Sequence, residues 1–306
     1  MNLRCIGGWA FTWAMMIVGP GVPSVQGAGT ASERPGLEPL KQVFGTYNAA
    51  PRRADGRVDL EFLIQDLGAI RANNYNWLVW HAATDWDDLQ AFLPLAREKQ
   101  IRVWVTLVPP SESPPRAKNY SEPFRLDYER WGVEIAKLSL GHPNLVAWSI
   151  DDFVHNAKEL NPDRMRKVLA GARAVNPKLA FIPCCYYRQL TPAYAEQYHG
   201  LFDGILFPYR NESVKADLSS AGAVNAEVAK IRQLFGGTMP IYVDVYATAH
   251  SRLGDSTPEY VRDVMTRAHE SADGVLIYCH QNEAKSPEKY RVIKELFNEW
   301  AGAPRR

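Results

Sequence analysis

The chain predicts an α/β fold, a single (β/α)8 barrel, and three observations carry that prediction. Short apolar runs rich in β-branched and aromatic residues alternate eight times with longer stretches of helical periodicity. The strand runs are nearly continuous in apolar residues, as strands covered on both faces are. The eight units together fill about 265 residues, the usual extent of such a barrel.

The first strand, 42–47, leads into a helix at 59–72, and the second, 76–81, into one at 86–99. The third, 101–108, is followed by a long insert at 109–122 and a helix at 125–140. The fourth, 144–150, precedes a helix at 162–175 opened by Asn161-Pro162, a cap followed by proline at the first helical position. The fifth and sixth strands, 179–185 and 204–209, alternate with helices at 191–199 and 219–235. The seventh, 241–246, precedes a helix at 258–270 with the same kind of start signal, Thr257-Pro258, and the eighth, 274–280, one at 287–300. An open doubly wound sheet would need a glycine-rich turn after its first strand. Tyr47-Asn48-Ala49-Ala50-Pro51 stands there instead. No repeat of 20–50 residues exists beyond the βα alternation.

Composition fits one enzyme-sized domain: 306 residues, 46% of them apolar, can bury a large core. A net charge of +1 gives no electrostatic argument for a nucleic-acid partner or an anionic membrane. The first 27 residues differ in kind, with Arg4, an apolar stretch from Cys5 to Val18, and Val25-Gln26-Gly27 offering small residues for cleavage. The expected organisation is a signal peptide at 1–27, a flexible leader at 28–40 and the catalytic barrel at 41–302. The expected location is secreted or periplasmic, with no stable membrane insertion once the signal is removed. An uncleaved anchor is the competing reading of the same segment, but its apolar core is short for a ~20-residue span. Loss of the signal leaves Cys184, Cys185 and Cys279, an odd number that cannot close a disulfide framework. They read as buried thiols packing as small hydrophobes, with a vicinal Cys184–Cys185 bridge as a strained alternative.

The chemistry is expected at the strand tips, where barrels keep it. The segment Ala147-Trp148-Ser149-Ile150-Asp151-Asp152-Phe153 is an apolar run that ends in two adjacent carboxylates. By the period of two, Ala147, Ser149 and Asp151 share one face and Val146, Trp148 and Ile150 the other. The bulkier set belongs under the helices, so Asp151 points into the barrel mouth and Asp152 opens the adjoining loop. On the seventh strand Tyr242, Asp244 and Tyr246 alternate with Ile241, Val243 and Val245, which turns Asp244 inward too, as a third catalytic candidate that would be nucleophile or stabiliser in a two-carboxylate retaining scheme, with Tyr246 a candidate substrate-binding residue. The remaining tips add Tyr47, Asn48, His81, Tyr186, Tyr187, Tyr209, Arg210, Tyr278, His280 and Gln281 as candidate substrate-binding residues. A mouth of tyrosines, amides and acids suits a sugar, whose apolar face stacks on rings while polar groups take its hydroxyls.

Glycosidic cleavage needs one protonated carboxyl for the leaving oxygen and a second group to attack or stabilise the sugar cation. Two neighbouring acids can hold one proton near neutral pH. The bland reading of an Asp-Asp doublet is a helix cap or a solvated turn, and that of Asp244 a buried acid paired with Arg210, a tyrosine or a histidine.

The strand-four segment resembles that of barrel glycosidases, and its Asp pair is similar to that of the bacterial and human O-GlcNAcase-type β-N-acetylglucosaminidases. The resemblance covers one short motif and the barrel pattern. It implies that Asp151 orients the substrate's acetamido group, which is the nucleophile in that family, and that Asp152 is the general acid/base. The additional domains of that family have no counterpart here. The retaining clan with Asn-Glu at strand four and Glu at strand seven is a poor match, because Asp151-Asp152 and Asp244 stand there. The α-galactosidase-like pattern fits Asp151 but meets Pro208-Tyr209-Arg210 where its second Asp belongs.

No cofactor is expected, and no metal: His81, His250 and His280 lie near strand tips without HxH or HExxH spacing. No GxSxG elbow or P-loop supports an esterase or NTPase reading. The expectation is a secreted glycoside hydrolase acting on an oligo- or polysaccharide. Its alternatives are a non-catalytic carbohydrate-binding barrel and a metal-dependent hydrolase or deacetylase.

Overall fold

The structure, a computed structural model, describes residues 40–303. The expected signal at 1–27 and nearly all of the leader lie outside the described residues. Eight parallel strands form one sheet: β1 (Val43–Tyr47), β2 (Asn74–Val79), β3 (Arg102–Leu107), β4 (Leu145–Ile150), β5 (Ala180–Phe181), β6 (Ile205–Pro208), β7 (Ile241–Tyr246) and β8 (Gly274–Tyr278). The helices between them are α1 (Leu60–Ala69), α2 (Asp85–Glu98), α3 (Tyr128–Gly141), α4 (Pro162–Val175), α5 (Pro192–Gln197), α6 (Val224–Leu234), α7 (Pro258–Ser271) and α8 (Pro287–Gly302). Among the described residues no helix is long and apolar enough to cross a membrane.

Local chemistry sets the helix starts. Asp59, Asp127, Asn161, Thr191 and Thr257 each accept a hydrogen bond from the backbone N–H three residues on, satisfying a donor the first turn leaves orphaned. Prolines 162, 192, 258 and 287 occupy first positions, where the missing N–H costs nothing.

The ladder runs β5-β4-β3-β2-β1-β8-β7-β6, so first and last strands of the chain lie side by side over five register pairs. The expected closure is only partial. Between β5 and β6 the backbone contact is one isolated parallel bridge, Cys184 to Leu206, with hydrogen bonds from Cys185 N to Leu206 O (2.9 Å), Leu206 N to Pro183 O (3.0 Å) and Asp203 N to Phe181 O (2.9 Å). The fold is therefore TIM-like and not fully closed. The fifth strand, expected over 179–185, is regular over only two residues; Ile182 and Cys184 N–H still bond Trp148 and Ile150 of β4, and it is toward β6 that Pro183 offers no donor.

The second strand also departs from expectation, lying two residues earlier than 76–81. Its early end has a clear cause: one carboxylate oxygen of Asp85, at the start of α2, accepts the backbone N–H groups of Trp80 (2.9 Å), His81 (2.6 Å) and Ala82 (3.0 Å), bending the chain after Val79. Arg52 pairs with the same carboxylate.

Inside the sheet, Trp104 of β3 meets Tyr242 of β7 edge-on at 4.8 Å between ring centres, and Tyr242 donates to the Leu40 carbonyl at 2.9 Å. Aromatic packing fills the N-terminal side of the interior and leaves the C-terminal side for the site. Outside, Trp148, Phe181 and Phe153 pack together, as the alternation on β4 predicts for Trp148.

Candidate active site

A cavity of about 380 Å³ opens at the C-terminal ends of the strands. Its wall includes Tyr47, Asn48, Asp151, Asp152, Tyr186, Arg210, Asp244, Tyr246 and Tyr278, all expected from the sequence, and His81 from the loop after β2. Tyr278 lies against both Tyr47 (5.5 Å) and Tyr246 (4.8 Å), giving three contiguous rings on one side of the mouth.

Four expected residues stand elsewhere. Tyr187 and Tyr209 follow the inward Tyr186 and Pro208, so the period of two turns them away from the mouth. Tyr209 stacks on Tyr260 and donates to the Ser220 carbonyl at 2.8 Å, behind the sheet. The eighth strand ends at Tyr278, and Cys279 takes a positive φ of 52° that reverses the chain. His280 is then carried outward, where its Nε2 lies 3.2 Å from Asp66 of α1, and Gln281 leaves with it.

Asp151 and Asp152 have unlike surroundings. Asp151 receives its position from β4, its N–H bonding the Leu107 carbonyl of β3 (3.1 Å). Burial, then the negative charges of Asp152 and Glu112, push its carboxyl up to about 7, against the opposing influence of Tyr47 and Cys184. Asp152 adopts the left-handed conformation, φ 44° and ψ 32°, which Asp tolerates better than most residues. Its carboxylate accepts from the Tyr186 hydroxyl at 2.5 Å and lies 3.6 Å from Nδ1 of His155, whose ring stacks on Tyr186 at 4.8 Å. Burial works against ionisation of Asp152, but His155 and Tyr186 outweigh it and hold the group below its ordinary value. The two members of the doublet are thus shifted in opposite directions, Asp151 up and Asp152 down.

Asp244 is 1% exposed, and one of its oxygens has no hydrogen-bond partner. Burial, then the charge of Asp151, raises its carboxyl well above the ordinary range. It does not pair with Arg210, which instead binds Glu212 and lies over the Tyr186 ring at 4.0 Å.

Sequence reasoning missed Glu112, His155, Trp80, Cys184, His250 and Arg252, which line the same cavity. Glu112 had a legible signal, since it and Glu122 are the only acids of the proline-stiffened insert. It ends a 3-10 turn, Pro110–Glu112, on the loop after β3. Burial, then the charge of Asp152, raises it to about 7. Cys184 was legible by alternation along the fifth strand. Its thiol is raised by burial and by both aspartates, and all three cysteines among the described residues are free. One ligand atom each from Asp151, Asp152 and Cys184 lie within 4.8 Å of one another, a donor set that a zinc-like cation can accept.

No protein-family model matches the chain, and no curated protein is similar to it in sequence. Solved structures do share its fold. A glucosidase from Croceicoccus marinus aligns over 89% of this chain and 70% of its own, at 12% identity and a TM-score of 0.59. A β-galactosidase from Rahnella sp. R3 aligns over 86% of this chain and 56% of its own, at 12% identity and TM-score 0.61. A β-D-glucuronidase from Dictyoglomus thermophilum aligns over 86% and 51%, at 15% identity and TM-score 0.53. The chain thus spans between about half and 70% of the length of these proteins. At such identities the likeness establishes the barrel architecture on which these glycosidases are built.

Proposed function

We propose that the chain is a glycoside hydrolase that cleaves O-glycosidic bonds of a carbohydrate whose terminal residue enters the barrel mouth. One observation carries the reading: an aromatic-walled cavity holds an ionised carboxylate, Asp152, among carboxyls that keep a proton near neutral pH, Asp151 and Glu112. Those are the two states that glycosidic cleavage requires. At about 380 Å³ the cavity falls at the small end of ligand pockets, which favours one or two sugar residues over a long chain threaded through a groove.

Ligand oxygens of Asp151 and Asp152 lie within 4.8 Å of each other. An inverting pair stands roughly 6.5–9.5 Å apart to admit a water between its members, so the doublet by itself is too close for that role. Asp152 suits attack on, or stabilisation of, the anomeric carbon. In an acetamido-assisted version it would orient the substrate's amide, with Asp151 as its neutral neighbour. Asp244, buried at the base of the cavity, serves as polar floor in this reading and not as nucleophile. Export through the 1–27 signal would place the enzyme among extracellular or periplasmic glycans.

The test is a screen of the purified protein against aryl glycosides, N-acetylhexosaminides and uronides included, with product stereochemistry followed by NMR. Asp152→Asn should lower turnover by roughly 10²–10⁴ for good and poor leaving groups alike. A wild-type protein that releases aglycone from none of them overturns the reading. The Asp151, Asp152 and Cys184 donor set favours a second reading, a metal-dependent hydrolase, which stoichiometric metal in the active purified protein and its loss on chelation would select.

A further inference from the structure

The cavity wall supplied by the β6 and β7 loops is rich in donors that find few acceptors in the protein. Arg210, just after β6, lies with its guanidinium over the Tyr186 ring at 4.0 Å and pairs through Nη2 with Glu212, itself 4% exposed. Glu212 is held in turn by Arg188, whose backbone N–H and Nε donate to its Oε2 (2.9 Å) and its carbonyl (2.8 Å). A guanidinium has five N–H groups. Among the described residues Glu212 is the one carboxylate that meets Arg210, and the Arg210 Nε is buried without an acceptor. Arg252 extends from a two-stranded hairpin, Ala249–His250 with Gly254–Asp255, whose own acid, Asp255, is engaged by Lys289 of α8 at 2.8 Å. No carboxylate of the described residues pairs with Arg252. Its backbone N–H donates to Nδ1 of His250 at 3.1 Å, which leaves the ring proton on Nε2. All three side chains border the one cavity. Tyr186 joins this wall to the acids, since its ring carries Arg210 while its hydroxyl donates to Asp152 at 2.5 Å.

We infer that this wall is an anion subsite: the sugar preferred by the site carries a carboxylate or a sulfate, held by Arg210 and Arg252, with Glu212 as the positioning residue of Arg210. The inference rests on the glycosidase reading for the sugar and deepens it by naming the substrate class. A neutral sugar presents hydroxyls, each donor and acceptor at once, and these suit the carboxyl groups of the β3 and β4 tips. Arginine accepts nothing. A wall of two guanidinium groups and a histidine Nε2–H is matched by a group that only accepts, and the planar fork of a guanidinium takes two oxygens of one carboxylate or sulfate side by side. Repulsion by the acids sets the orientation, turning the anionic group toward β6 and β7 while the anomeric carbon faces β4. A neutral analogue in the same pose leaves the arginine donors unmet, which is how a polar site rejects a ligand that lacks the group it was built for.

The experiment measures binding and turnover separately. Calorimetry on the full protein uses free glucuronate, galacturonate, glucose and galactose, and the two hexoses sulfated on the exocyclic oxygen; kinetics uses the nitrophenyl glycosides of the same sugars in both anomers. At least one anionic sugar should bind about tenfold or more tighter than its neutral parent, with kcat/KM in the same order, and added salt should weaken its binding more than that of the parent. Arg252→Gln should cut this preference roughly tenfold, and Arg210→Lys by roughly ten- to hundredfold. Glu212→Gln, which keeps the shape and drops the charge, should raise KM on the anionic glycoside more than it lowers kcat. Arg252 is exposed, so its replacement probes the wall without threatening the fold. Preference for uronates alone assigns the wall to a carboxylate, and for the sulfated hexoses alone to a sulfate. Neutral sugars that bind and turn over as well as the anionic ones, or a preference that Arg252→Gln and Arg210→Lys both leave intact, overturn the inference and leave the glycosidase reading standing. Anionic sugars bound through the arginines by a protein that cleaves no glycoside overturn the glycosidase reading and leave the subsite standing. A protein that binds none of these sugars and cleaves none of the glycosides overturns both.

Discussion

At the scale of single residues, the pH dependence of the site follows from two opposed shifts. Asp152 is held below its ordinary value, so it is ionised across the neutral range and loses its charge only as pH falls through that lowered value. Glu112 and Asp151 sit near 7, so their protons are present below that point and lost above it. kcat/KM should therefore be greatest on the acid side of neutrality and fall as pH rises past about 7. Tyr186→Phe removes the 2.5 Å hydrogen bond that favours the Asp152 carboxylate and so raises its pKa. The acid limb of the kcat/KM profile should move upward by about one pH unit, as loss of a charge-assisted bond of ~1.5–3 kcal/mol implies at 1.36 kcal/mol per unit after partial replacement by water. A steady-state pH profile checks this, and an unmoved limb assigns it to another group. Much of the site was legible at this scale, because alternation along β4 and β7 needs only the period of two. It failed where strands stop: Tyr209 and His280 lie beside strand tips in sequence, but one follows an inward proline and the other a left-handed Cys279. The period of two accounts for Tyr209 once Pro208 is known to face inward, whereas nothing in composition or periodicity marks the left-handed turn at Cys279.

At the scale of elements, the order and kind of every unit were readable, and the position of β2 and the length of β5 were not. Proline caps and apolar runs are local, so α4 and β7 match expectation residue for residue. The end of β2 is set by Asp85 reaching back to three N–H groups, and the brevity of β5 by what Pro183 withholds from a neighbour far along the chain. The first is a contact across three to five residues that periodicity does not read, and the second depends on the neighbouring strand. The β1–β2 contact offers a sharper test of how tightly these elements are fitted. A Cβ at Gly45 would fall 1.9 Å from the Asn74 carbonyl oxygen, closer than any real contact. Gly45→Ala must push β2 away from β1 and should destabilise the protein by about 3 kcal/mol or more, the upper end of overpacking effects. Urea denaturation measures it. A loss below ~1 kcal/mol would mean the two strands separate far more readily than their register suggests.

At the scale of the whole molecule, the charged groups of the mouth divide by side. Glu112, Asp151 and Asp152 come from the β3 and β4 tips, while Arg210 and Arg252 come from the loops after β6 and β7, with Asp244 of β7 buried between. The sheet has a comparable asymmetry. Its ends in sequence, β1 and β8, are joined by a full parallel ladder, whereas its ends in space, β5 and β6, meet through one bridge. The covalent chain and the hydrogen-bonded ring are thus interrupted at different places. A break of the backbone at His199–Gly200, both exposed, would leave every strand pair intact and yield two fragments, one bearing β1–β5 and the other β6–β8. Their reunion would depend on the β1–β8 ladder and on the packing of Phe44 against Phe297 and Trp300 of α8, not on the peptide link. Co-expressed as separate polypeptides split at that point, the halves should copurify and reconstitute the cavity, so that this barrel behaves as a complementing pair with its natural cleavage plane running through the side opposite the termini.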